Sequence, residues 1–102
     1  MNTEHHFVVV TFQTNSTNQA QAVREVGDYV ASFLSQQPGF VMSRLFASND
    51  GESLVHQAEW TTEEAFKQAG VLAREHPDLP KLLRYEPRGV GYQLARSFPE
   101  AQ

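Results

Sequence analysis

The feature that most constrains this chain is the dipeptide Asp50-Gly51, set between two strand-like stretches, FVMSRLFAS before it and ESLVHQAEW after it. Asp and Gly supply the positive-φ conformations that a tight hairpin turn demands, so the two stretches pair as antiparallel strands. The hairpin is entered through Pro38-Gly39. It leads into Thr61 with Glu64 three residues later, the signature of a capping box, which starts a helix running to about Glu75 and ended by His76-Pro77. One segment, Pro38 to Phe66, thus specifies a turn, two strands and a helix. It also carries the only tryptophan, Trp60, four residues after a titratable side chain, His56.

The other elements follow from periodicity. Phe7 to Gln13 has apolar residues on both parities, which suits a strand covered on both faces. Val23, Val26, Val30, Phe33 and Leu34 recur at spacings of three and four and predict an amphipathic helix that stops before Pro38. A helical turn around Pro80 to Arg84 leads to a last strand from Arg88 to Phe98, with Val90, Tyr92, Leu94 and Phe98 on one parity and Gly89 and Gly91 on the other. The order βαββαβ is that of a ferredoxin-like α+β unit, with a four-stranded antiparallel sheet and both helices on one face. Residues 1–102 form one domain with a core of about 7–98, and there is no internal repeat or low-complexity tract.

Composition excludes several classes of function. The chain has no cysteine, so disulfides, thiolate metal sites and thiol catalysis are ruled out, and a reducing cytoplasm is the expected compartment. A net charge of −4, with Lys and Arg scattered, leaves no basic face for nucleic acid. No apolar run approaches the roughly 20 residues that span a bilayer. His5, His6 and His76 have neither ligand spacing nor a carboxylate partner that would make a metal site.

Register decides which side chains meet. If Asp50-Gly51 forms a two-residue turn, Asn49 pairs with Glu52, and Val41, Ser43, Leu45 and Ala47 share a face with Leu54, His56, Ala58 and Trp60. The opposite face then holds Phe40, Met42, Arg44 and Phe46 with Val55, Gln57 and Glu59, where Arg44 is placed to pair with Glu59. Two helices cover one face only. The other, rich in aromatic residues, predicts a symmetric homodimer packed sheet against sheet. On the helix side, Ser43, Ala47, Ala58, Gly27, Ala65, Ala69, Gly70 and Ala73 are small; they either let backbones approach or leave a pocket beside His56 and Trp60.

The PGF turn, the strand ending in Ala-Ser before Asp-Gly, the VHQAEW strand end and the TTEEAF helix start resemble the antibiotic biosynthesis monooxygenase family, over nearly the whole chain from Phe7 to Phe98. Within it the likeness is to small monooxygenases that oxidise anthrone-type aromatic polyketides without a cofactor. The resemblance implies a dimeric α+β barrel, a small aromatic substrate and dioxygen as partners, no cofactor and no metal. It places Trp60 on a cavity between sheet and helices. It also sets His56 where that group has Asn, and Phe66 where it has Tyr.

A deprotonated, electron-rich aromatic can itself reduce dioxygen, so such a site needs a dry pocket, a base and donors to the developing oxyanion. His56 is the expected base and Trp60 the expected wall and oxygen contact, these two being the catalytic candidates. Phe66, Leu45, Tyr29 and His76 are the expected substrate contacts, with Tyr92 and Arg44 as weaker polar candidates. Two other readings stand beside this one. In the first the chain is a non-catalytic small-molecule binder or structural protein of the same fold, which the substitutions at 56 and 66 favour. The second is a haem-degrading relative, which would need an Asn on the first strand and a His about ten residues beyond the Trp; Phe7 to Gln13 has no Asn, and position 70 is Gly.

Overall fold

The computed structural model describes residues 5–100. Its elements are β1 (His6–Gln13), α1 (Gln19–Ser32), a 3-10 turn (Leu34–Gln36), β2 (Phe40–Ala47), β3 (Ser53–Trp60), α2 (Glu63–Ala73), α3 (Leu79–Leu83) and β4 (Arg88–Gln93). The strands form one antiparallel sheet in the order β2-β3-β1-β4. This is the ferredoxin-like arrangement read from the sequence, with the two middle strands of the sheet supplying its most buried side chains.

The hairpin keeps the expected register but not the expected turn. Ala47 faces Leu54 and Leu45 faces His56, as a two-residue turn would give. The loop is nevertheless closed at Ser48 and Ser53, whose backbone bond is 3.0 Å, and only Gly51 has a positive φ, 81°. Asp50 acts through its carboxylate instead, which accepts from the Glu52 N–H at 2.9 Å and the Ser48 hydroxyl at 2.7 Å. These two bonds also hold its pKa below the usual carboxylate value.

A bulge between Phe40 and Met42 changes which face Phe40 occupies. The sequence puts Phe40 opposite to Trp60, yet the extra residue brings Phe40 level with Trp60 on the helix side. Their rings meet edge to face, with centroids 5.3 Å apart. The bulge follows directly from Gly39, whose φ is +87° and whose Cα approaches α2 so closely that a Cβ there would lie 2.4 Å from the Ala65 Cβ. A glycine is therefore required at that turn.

Helix packing shows two further differences. Along α1 and the 3-10 turn after it, the apolar stripe packs inward at Val26, Val30, Phe33 and Leu34, joined by Ala22 and Tyr29, while Val23 is turned outward. At α2 the cap is Thr62, whose hydroxyl accepts from the Ala65 N–H at 3.0 Å; Thr61 instead donates its N–H to the Gly39 carbonyl at 2.8 Å. Glu63 and Glu64 sit in the first turn, where carboxylates complement the helix dipole.

On the uncovered face, Met42, Phe46, Val90 and Tyr92 are exposed. Glu59 meets His5 there and not Arg44. β4 ends at Gln93, before the expected Phe98, and Leu94 and Phe98 lie exposed beyond it. No described helix is long and apolar enough to cross a membrane.

Candidate functional site

Along the helix-facing side of β3, alternate residues are buried: Leu54, His56, Ala58 and Trp60. Strand geometry puts all four on one face and spaces them evenly. They divide between two packed clusters. Trp60 and Ala58 join Val8 and Ala69, whereas Leu54 joins Phe12, Ala22, Val26, Tyr29, Leu82 and Tyr85. His56 stands between the two clusters, paired with Val10 on one side and Leu45 on the other.

A cavity of about 240 Å³ opens beside His56. Its walls come from β1 (Val10, Phe12), α1 (Val26, Tyr29, Val30), α2 (Phe66, Ala69, Gly70, Ala73) and the α3 region (Leu79, Leu82, Pro87), with Leu34 between. The small residues of α2 create the room. A Cβ at Gly70 would meet no heavy atom within 4 Å, so the helix there stands back from its neighbours. Of the sequence-predicted contacts, His56, Phe66 and Tyr29 line this space.

The other predicted residues lie nearby but outside it. Leu45 packs against the larger cluster. Trp60, expected as a cavity wall, is fully buried behind Phe66, with ring centroids 5.8 Å apart. His76 stacks on Tyr29 and Phe33, at 5.1 and 4.7 Å, and its Nδ1 accepts from the Asp78 N–H at 3.0 Å. It braces the Tyr29 ring rather than facing the cavity. Tyr92 and Arg44 are on the opposite face of the sheet, beside an open groove. Leu79, Leu82 and Pro87 were missed, because nothing local in the sequence ties that segment to the sheet.

The electrostatics of the cavity are those of a hydrocarbon pocket with one titratable base. His56 is 4% exposed, and its Nε2 has no hydrogen-bond partner among the described residues. Burial lowers its pKa below the ordinary 6.5, so the imidazole is neutral at pH 7. A neutral imidazole keeps one ring nitrogen able to accept a proton. Tyr29 is the other polar group on the wall, and burial raises its pKa, keeping it a phenol. Trp60 Nε1 likewise has no partner among the described residues. No group of three or more His, Asp or Glu that could hold a metal ion occurs among the described residues.

The chain matches the family described as antibiotic biosynthesis monooxygenase over residues 5–70. No curated protein matches it in sequence. Among solved structures, it resembles a monooxygenase from the gene ActVA-Orf6 of Streptomyces coelicolor, determined with nanaomycin D, at 22% identity over 96% of this chain and 94% of that one, with a TM-score of 0.80. SnoaB, a cofactor-independent oxygenase from Streptomyces nogalater, is similar at 25% identity over 97% and 100% of the two chains, with a TM-score of 0.70. The heme-degrading protein Rv3592 from Mycobacterium tuberculosis shares the fold alone, at 11% identity over 94% and 97% and a TM-score of 0.69.

Proposed function

Because the chain belongs to the antibiotic biosynthesis monooxygenase family, we propose that it is a cofactor-independent oxygenase of a small phenolic or polycyclic aromatic substrate, bound in the His56 cavity. The observation that carries this reading is the unpaired, neutral imidazole of His56 on the wall of an otherwise apolar space. Neighbours that are themselves a monooxygenase determined with nanaomycin D and a cofactor-independent oxygenase support it.

In this mechanism the substrate's hydroxyl, or the acidic C–H of its keto tautomer, gives its proton to His56. The resulting phenolate or enolate passes one electron to dioxygen, and the phenoxyl-type radical, through the ring carbon that shares its spin, combines with superoxide to a carbon-bound peroxide. Return of the proton and loss of water leave the carbonyl of a quinone, so one oxygen atom enters the product and the other leaves as water. The protein contributes a base that burial keeps neutral, exclusion of water, and orientation of the ring by Phe66 and Tyr29. A substrate suited to these walls ionises once and is otherwise uncharged, because a second buried charge would find no partner. The space lies below the roughly 300–1,000 Å³ of pockets for drug-sized ligands, which favours a compact ring system.

The working unit in this reading is a symmetric dimer formed through the face that carries Met42, Phe46, Val90 and Tyr92. Light scattering would give twice the chain mass, and Phe46→Glu would halve it. The chain mass at all concentrations for the unaltered protein would exclude this assembly.

The test of function is oxygen uptake in air with 1,8-dihydroxyanthrone, on protein checked by absorbance for haem and flavin. Uptake above buffer is expected, with a loss of about 100-fold or more in His56→Ala, the low end of what a positioned base supplies. An unchanged rate in His56→Ala would remove His56 as the base. A binding-only protein, the reading favoured by an inert Phe at position 66, would bind such a ring and show no uptake.

A further inference from the structure

The walls of the cavity are unequal. The sheet and the long helices α1 and α2 form three sides, while the fourth is Leu79, Leu82 and Pro87, from a five-residue helix and the turn after it. A helix of that length has no stability of its own, since isolated helices below ~12–15 residues are marginal in water. α3 stays in place through what it touches.

Several ties hold it. Leu82 and Tyr85 are buried in the larger cluster, and His76 just ahead of α3 stacks on Tyr29 and Phe33. The side-chain tie that is partly open to water is a single carboxylate, Glu25 on α1, whose Oε1 accepts from Arg84 Nη2 at 2.8 Å and from the Tyr85 hydroxyl at 2.7 Å. Its Oε2 accepts from Gln21 Nε2 at 2.9 Å, which fixes the carboxylate in orientation. Tyr85 is 3% exposed, and its carbonyl accepts from the Gln13 N–H at 2.6 Å, so this residue joins α1, β1 and the end of α3. Glu86 then turns the chain with a φ of 51° and delivers Pro87 to the cavity. The Gln21 and Tyr85 hydrogen bonds, helped by the Arg84 charge, outweigh desolvation and keep Glu25 ionised well below neutral pH.

We propose that Glu25 is a positioning residue that latches α3 as the movable wall of the cavity, and that ligand enters and leaves beneath α3 when the contacts of Glu25 with Arg84 and Tyr85 open. This rests on the proposed function only in taking the cavity as the ligand site. Hydrogen bonds to a charged acceptor, partly open to water, are strong enough to close a wall and weak enough to release it. Opening on this side leaves β3 and His56 undisturbed. α1 offers no comparable hinge, being a continuous helix of 14 residues with Ala22, Val26 and Tyr29 buried in the core.

The test combines hydrogen exchange with ligand kinetics in the full chain. Exchange of peptides spanning 79–87 would be compared in the unaltered protein, Glu25→Ala and Glu25→Gln, together with the release rate of 2-naphthol followed by quenching of Trp60. Glu25→Ala should speed exchange in 79–87 and 2-naphthol release by about tenfold each, with β1 and β3 still protected. Glu25→Gln, which keeps an acceptor oxygen, should move both in the same direction by less. Unchanged exchange in 79–87, an equal rise throughout the chain, or faster exchange with unchanged release would each overturn the latch. Absence of 2-naphthol binding to the unaltered protein would overturn the access role. Binding and exchange as expected without oxygen uptake would instead sink the oxygenase reading and leave the latch standing.

Discussion

The middle of β3 and its end carry the same defect in different surroundings. Trp60 and His56 lie four residues apart on one face, both are buried, and each has a ring nitrogen without a partner among the described residues. Leaving such a group unpaired costs about 1–3 kcal/mol. Around Trp60 the space is filled by the rings of Phe40 and Phe66 and by Val8, Ala58 and Ala69, so the cost is simply carried in exchange for a large buried surface. Beside His56 the space is open. His56 lies on the wall of a space that a ligand can fill, whereas Trp60 lies among packed rings, and that difference separates an anchor from a site.

The comparison breaks most readily at the anchor. Trp60→Ala should cost about 3–5 kcal/mol in chemical denaturation, the range for emptying a filled aromatic site. A loss below ~1 kcal/mol would mean that the Trp60 end is not tightly packed. His56→Leu should behave in the opposite way. It removes a buried polar nitrogen and adds apolar contact, so stability should hold or rise while oxygen uptake falls by about 100-fold or more. A destabilised His56→Leu would show that the imidazole is a satisfied core residue after all.

Acid should sharpen the contrast. The folded pKa of His56 lies below the unfolded value of 6.5, so between the two the unfolded chain binds more protons. The stability that depends on neutral His56 is therefore complete above pH 6.5 and is lost as pH falls toward the folded value, at up to about 1.4 kcal/mol per pH unit. This decline, read as the difference between unaltered protein and His56→Leu in denaturation at successive pH values, should vanish in the variant. Trp60→Phe should leave it intact.

The smallest effects concern two helical glycines, neither of which would bring a Cβ within 4 Å of another heavy atom. Gly27→Ala and Gly70→Ala should each raise stability by up to ~1 kcal/mol through helix propensity. Only Gly70 lines the cavity. Gly70→Ala alone should weaken binding of 2-naphthol in titration calorimetry, and equal weakening by both would place the ligand elsewhere.

Much of this was legible in the sequence. The element order and strand register follow from Asp50-Gly51 and from the parity of ESLVHQAEW, since a one-residue slip would turn Leu54, His56, Ala58 and Trp60 to the wrong face. The small residues of α2 pointed to a cavity, and His56, Phe66 and Tyr29 do line it. The misses are tertiary. The face of Phe40 depends on a bulge set by the contact of Gly39 with Ala65, and the cap passed from Thr61 to Thr62 because Thr61 bonds that same turn. The α3 wall and the Glu25 node join residues about 60 positions apart, a distance that local periodicity does not reach.

The most direct test of His56 as the ligand-facing residue of β3 is magnetic resonance of the imidazole ring carbons and of the single indole N–H during addition of 2-naphthol without oxygen. The His56 signals should move toward saturation as the phenol bonds the free nitrogen, with the Trp60 N–H almost unmoved. A saturating shift of the Trp60 N–H with His56 unchanged would contradict the account and exchange the roles of anchor and site.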